Sequence, residues 1–105
     1  MQERRQHPRV TVSLAARLQF ESGKTLAARV KDIGLGGCYF QSLARVELGE
    51  SVRCVLQLSE EDMLELNGTV AFHRPYVGFG LEFNSLTKEK TERLKTIIAT
   101  IQESE

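Results

Sequence analysis

Arg5 and Arg9 stand just ahead of the first apolar run, in the segment Met-Gln-Glu-Arg-Arg-Gln-His-Pro-Arg, which also holds Arg4 and is opposed only by Glu3. A guanidinium is a permanently charged planar fork with five N–H donors, so this cluster reads as a local anion site. Pro8 restricts His7 and stiffens the segment, which lowers the entropy lost when it closes over a ligand. A second polar stretch, Asp32-Ile-Gly-Leu-Gly-Gly37, sets a carboxylate beside three glycines in six residues. Glycine there can take positive φ and lets another group approach the backbone closely.

Other reactive residue types form no constellation. Two histidines and two cysteines at unrelated spacings make no metal set, and no serine, histidine and carboxylate group emerges, so an enzyme is not expected. Cys38 and Cys54 lack CxxC spacing and sit in apolar runs, as buried small hydrophobes do. His7 reads as a bystander, Arg74 as a loop residue beside Pro75, and the acidic run Glu60 to Asp62 as a solvated turn.

Positioning the two polar stretches falls to a β framework. From Val10 to Phe20 apolar residues occupy every second position, the period of a half-buried strand. Glu21 to Lys24 supply a turn, and Leu26, Ala28 and Val30 resume the alternation, so the pair reads as a hairpin. A short strand at Cys38 to Phe40 follows. Further strands are marked by Val52 to Leu58, by Leu64, Leu66, Val70 and Phe72, and by Val77, Phe79, Leu81 and Phe83. Gly78 and Gly80 leave one face of the last strand bare, which suggests a bulge, a sharp bend or a closely approaching segment. Leu94, Ile97, Ile98 and Ile101 then recur at helical spacing, giving a helix over about residues 87–103 that should cover the barrel. Six short strands and one terminal helix point to a mainly β fold, a small six-stranded antiparallel barrel.

In an antiparallel pair the start of one strand lies beside the end of the next. The arginine segment and the glycine loop should therefore meet at one end of the first hairpin, with a cationic arm over a glycine-lined rim.

With this arrangement the sequence resembles the PilZ family. That family's pattern is RxxxR on an N-terminal arm, a strand hairpin, then [D/N]xSxxG; here the matching residues are Arg5 and Arg9, then Asp32, Gly34 and Gly37. Val77-Gly-Phe-Gly-Leu-Glu-Phe83 before the terminal helix is similar to the family's closing strand, so the resemblance covers nearly the whole chain. It implies a split barrel over residues 10–105 with a ligand-binding arm at residues 1–9. It further implies a bacterial, cytoplasmic receptor for the second messenger cyclic di-GMP, with Arg4, Arg5, Arg9, Asp32, Gly34 and Gly37 at the ligand, no other cofactor, and a downstream protein partner. Arg4 stands one residue ahead of the motif, where a basic residue tends to accompany binding of a stacked ligand dimer in this family. Gly34 departs from the family's serine. The missing hydroxyl removes a hydrogen bond worth roughly 0.5–1.5 kcal/mol, or about 1.5–3 kcal/mol to a charged partner.

Composition bounds the alternatives. The chain has 105 residues, enough for one domain, and its 14 basic side chains balance 14 acidic ones, which is unlike the basic footprint of a duplex-binding protein. A single-strand nucleic-acid barrel would need exposed aromatics on one sheet face, whereas the five phenylalanines fall mostly on expected core faces and tryptophan is absent. No run reaches the roughly 18 apolar residues of a membrane span, and the N-terminus has no apolar signal region. The remaining alternative is a PilZ-like adaptor that acts through protein contacts without nucleotide.

Overall fold

A computed structural model describes residues 9–103. It contains β1 (Arg9–Phe20), β2 (Thr25–Gly34), β3 (Gly37–Gln41), β4 (Ser51–Gln57), β5 (Met63–Arg74), β6 (Gly78–Phe83) and α1 (Lys88–Glu103). The strands close into an antiparallel barrel in the order β1-β2-β3-β6-β5-β4. The six-stranded barrel and terminal helix expected from the residue periods are both present.

The alternation of β1 turns Val10, Ala16, Leu18 and Phe20 inward, and its partners do likewise. Phe79 stands at the centre of the core, stacked on Phe40 at 5.2 Å between centroids and tilted against Phe20 at 6.4 Å. Fully burying such a side chain stabilises the fold by about 1.5–3 kcal/mol. The β1–β2 hairpin turns where Gly23 adopts φ 96° and donates its N–H to the Phe20 carbonyl at 2.8 Å, a conformation that glycine takes without a Cβ clash.

Barrel closure at β1 is partial. β1 pairs with β2 from Arg9 to Gln19 but with β4 only from Ala16 to Phe20. Of its first seven residues, Arg9 to Thr11 and then Leu14 and Ala15 pair with β2 alone among the described residues, the register slipping between Thr11 and Leu14. α1 packs beside this half-open stretch, burying Leu94 and Ile98. Thr87 caps the helix by accepting the Lys90 N–H at 3.1 Å on its hydroxyl oxygen. Arg93 grips Asp62 through two 2.9 Å hydrogen bonds. Asp62, expected in a solvated turn, thus fastens the β4–β5 turn to the helix.

Two strands break their alternation. In β5, Val70 points inward, but a bulge between Val70 and Phe72 carries Phe72 to the outer face. Spacing alone puts Phe72 on the core face, and the bulge is what turns it out. Its ring stacks on Tyr39 at 5.8 Å, and the two rings cover the bare face of β6: a Cβ at Gly80 would run into the Phe72 ring, and one at Gly78 into both the Phe40 carbonyl oxygen and the Tyr39 phenol. The bare strand face is thus a seat for two aromatic side chains from the flanking strands.

Cys38 and Cys54 are buried and free, as their apolar settings predicted. Burial pushes the Cys54 thiol up from 9.0 to about 12, and pushes Cys38 up as well, with neighbouring Cys54 adding to the effect. Because the folded value lies above the unfolded one, the stability linked to protonated Cys54 is intact below pH 9.0 and declines as pH climbs toward about 12. Urea unfolding midpoints should fall across that window, and Cys54→Ala should flatten the fall. At pH 8, iodoacetamide should modify the folded protein far more slowly than the unfolded chain.

Candidate ligand site at the barrel rim

The register places Arg9 opposite Gly34 and Thr11 opposite Asp32, so the last residue of the arginine segment and the start of the glycine stretch meet at one end of the β1–β2 hairpin. Arg9 donates from Nη1 to Oδ1 of Asp32 at 2.9 Å, and the two side chains are 18% and 27% exposed. Sequence reasoning chose both residues but did not pair them with each other. The contact occupies one N–H of the fork and one carboxylate oxygen, which leaves the other donors and Oδ2 for a ligand.

A bulge aims Asp32. Leu26, Ala28 and Val30 face inward, and strict alternation would send Asp32 inward too. Between Val30 and Asp32, however, β2 carries one residue more than β3, because Val30 pairs with Phe40 while Asp32 pairs with the adjacent Tyr39. The extra residue keeps Asp32 on the outer face and returns Ile33 to the core. Bulges are a common way to re-aim a side chain at a functional site.

Most of the expected glycine loop is strand. Asp32, Ile33 and Gly34 end β2, Gly37 begins β3, and only Leu35 and Gly36 connect them. Among the described residues the glycines with positive φ are Gly23 and Gly49, in other turns. Gly37 has a different reason to be glycine: a Cβ there would collide with the Leu81 carbonyl oxygen of β6. The Gly36 carbonyl accepts the Phe83 N–H at 2.8 Å, extending the contact between this hairpin and β6.

Among the residues chosen from sequence, then, Arg9, Asp32, Gly34 and Gly37 gather at the rim. Arg4 and Arg5, with His7 and Pro8, lie outside the described residues. Among the described residues no group of histidine, cysteine and carboxylate side chains could hold a metal. No described helix is long and apolar enough to cross a membrane.

A closed six-stranded barrel whose rim holds an arginine–aspartate pair beside a hairpin turned by Leu35 and Gly36 defines a small β-barrel with a polar mouth. The chain belongs to the PilZ domain family, whose family model matches residues 3–100. No curated protein matches it in sequence. Among solved structures it is similar to the Bacillus subtilis inhibitor of motility MotI/DgrA, at 22% identity and a TM-score of 0.79 over 99% of this chain and 53% of that one. It is also similar to the PilZ domain with c-di-GMP of YcgR from Escherichia coli, at 13% identity and a TM-score of 0.82 over 97% of this chain and 94% of that one. The K. pneumonia MrkH–c-di-GMP complex matches at 19% identity and a TM-score of 0.83, over 99% of this chain and 55% of that one. At these identities the likeness establishes the fold. The chain spans about half the length of the MotI/DgrA and MrkH chains.

Proposed function

We propose that this domain is a receptor for cyclic di-GMP, bound at the barrel rim. The observation that carries the reading is the Arg9–Asp32 pair, fixed opposite Gly34 where the strand hairpin opens. Membership of the PilZ family supports it, as does the shared fold with the c-di-GMP complexes of YcgR and MrkH.

The ligand presents two guanines and two phosphates. The forks of Arg5 and Arg9 suit guanine O6 and N7, a phosphate, or the purine face. Asp32, when ionised, only accepts hydrogen bonds, so it takes the N–H donors on the Watson–Crick edge of guanine and rejects adenine, whose N1 is an acceptor. Gly34, opposite Arg9, ends β2 at the rim where the ligand approaches, and Gly37 seats the hairpin against β6. Arg4 extends the cationic arm toward a second, stacked ligand molecule. In this mechanism residues 1–8 form the ligand-binding arm that leads into the strand-borne Arg9, and the liganded arm presents a new surface to a downstream protein.

Calorimetric titration of cyclic di-GMP, with cyclic di-AMP and GMP as controls, tests the reading. Selective binding is expected, and Gly34→Ser should tighten it by about one to two decades, the worth of one restored hydrogen bond. Absence of heat together with absence of a thermal shift at millimolar ligand would identify a nucleotide-independent adaptor instead.

A further inference from the structure

The turn from β5 to β6 holds a conformation its sequence does not favour. The Val77 N–H donates to the Arg74 carbonyl at 3.0 Å, and between them Pro75 is followed by Tyr76 at φ 66°. Proline followed by a positive φ is the type II pattern, whose second central position normally belongs to glycine or asparagine. A bulky residue there is strained. Packing does not offset the strain, because Tyr76 is 76% exposed. Strain held without compensating burial directs attention to a use at the surface.

The ring has apolar company. Leu43 is 75% and Val77 50% exposed, and with Tyr76 they border a shallow groove of about 460 Å³. Ser42 donates its N–H to the Val77 carbonyl at 3.1 Å, which ties the two loops into one surface. The exposed Arg45 and Arg74 lie in the same two segments, and neither forms an ion pair among the described residues. The acids of the longer loop, Glu47 and Glu50, fall on its other half, where Gly49 and Glu50 bond to Val70. The patch is therefore apolar, with an exposed arginine two residues along the chain from Leu43 and another two residues from Tyr76.

We propose that Leu43, Tyr76 and Val77 form a docking surface for a protein segment that brings an apolar anchor flanked by carboxylates. Tyrosine as anchor and arginine nearby in the chain suit such a partner, since exposed aromatic and arginine side chains dominate interface energetics. The surface lies at the ends of β3 and β6 remote from Gly37, at the other end of that ladder from the rim hairpin. The proposal goes beyond the nucleotide reading and does not depend on it.

The test uses the peptide Asp-Glu-Leu-Phe-Asp-Glu, capped at both ends, added to the isotopically labelled chain. Two control peptides replace its acids by lysine or its apolar pair by serine. Amide shifts centred on Ser42, Leu43, Tyr76 and Val77 are expected with the acidic apolar peptide and with neither control. Tyr76→Gly should abolish them while leaving Tm equal or higher and cyclic di-GMP titration unchanged. Leu43→Ser should weaken them at least fivefold. Equal shifts with the lysine peptide, no shifts at millimolar peptide, or a lower Tm for Tyr76→Gly would overturn the proposal. So would sedimentation showing that the patch closes on a second copy of the chain.

Discussion

Arg9→Ala is expected to lower affinity for cyclic di-GMP by roughly two to four decades, because two charge-assisted hydrogen bonds at about 1.5–3 kcal/mol each are lost together. The change also strips Asp32 of the partner that holds it at 2.9 Å, so the acceptor for guanine loses its fixed position. Asp32→Asn makes a sharper companion. The amide has nearly the same shape but brings an NH2 group toward the N–H donors of guanine, so affinity should fall and discrimination against adenine should narrow. Neither variant disturbs the core, and Tm should shift by only a few degrees. Calorimetry with both variants decides the matter, and an unchanged affinity for Arg9→Ala would remove the rim pair from the site.

Gly37→Val is expected to damage the fold before it damages any site. The position lies in the β3–β6 ladder opposite Glu82, and a Cβ would collide with the Leu81 carbonyl, which is backbone and cannot rotate away. Forcing a side chain into close-packed surroundings costs about 1–3 kcal/mol, and valine, stiff at χ1, has few rotamers with which to escape. A loss of Tm of roughly 4–20 °C follows for a domain of this size. Thermal melts without ligand measure it directly. Loss of ligand binding in a Gly37 variant therefore says little about ligand contact unless the melt is shown beside it. A Gly37→Ala variant with wild-type Tm would show that the hairpin can shift, and would return Gly37 to consideration as a position reserved for ligand approach.

The framework was legible in the residues because burial dictates period. Val10 to Phe20 alternates without a break, and α1 shows its buried stripe at Leu94, Ile97, Ile98 and Ile101. What escaped were the bulges. A bulge adds one residue and reverses the phase of everything beyond it, so alternation read through Val30 sends Asp32 inward, and alternation read through Val70 sends Phe72 inward. The structure turns both out. Glycine content signalled the turns but not their cause. Gly37 and Gly80 avoid collisions with residues distant in sequence, a β6 carbonyl and a β5 ring, and no local pattern encodes such contacts.

The rim was legible as an ingredient set and illegible as an assembly. Arg9 and Asp32 stood out by type, and strand direction brought them together, but their mutual hydrogen bond depends on register and on the β2 bulge. Tyr76 carries no mark in the sequence, where an aromatic after proline is unremarkable. Its signal is the backbone angle, which only coordinates supply.

The short seam between β1 and β4 gives the barrel an uneven resistance to opening. Hydrogen bonds to β4 anchor Ala16 to Phe20, whereas the stretch from Arg9 to Ala15 hangs on β2 alone among the described strands, with a slip in register between Thr11 and Leu14. Local opening needs fewer bonds broken there, so the amide protons of that stretch should exchange with solvent through partial unzipping while the Ala16 to Phe20 segment waits for global unfolding. The mouth can thus breathe on its own clock, and whatever settles on Arg9 and Asp32 acts as a clasp on the half of the strand that the barrel leaves unfastened.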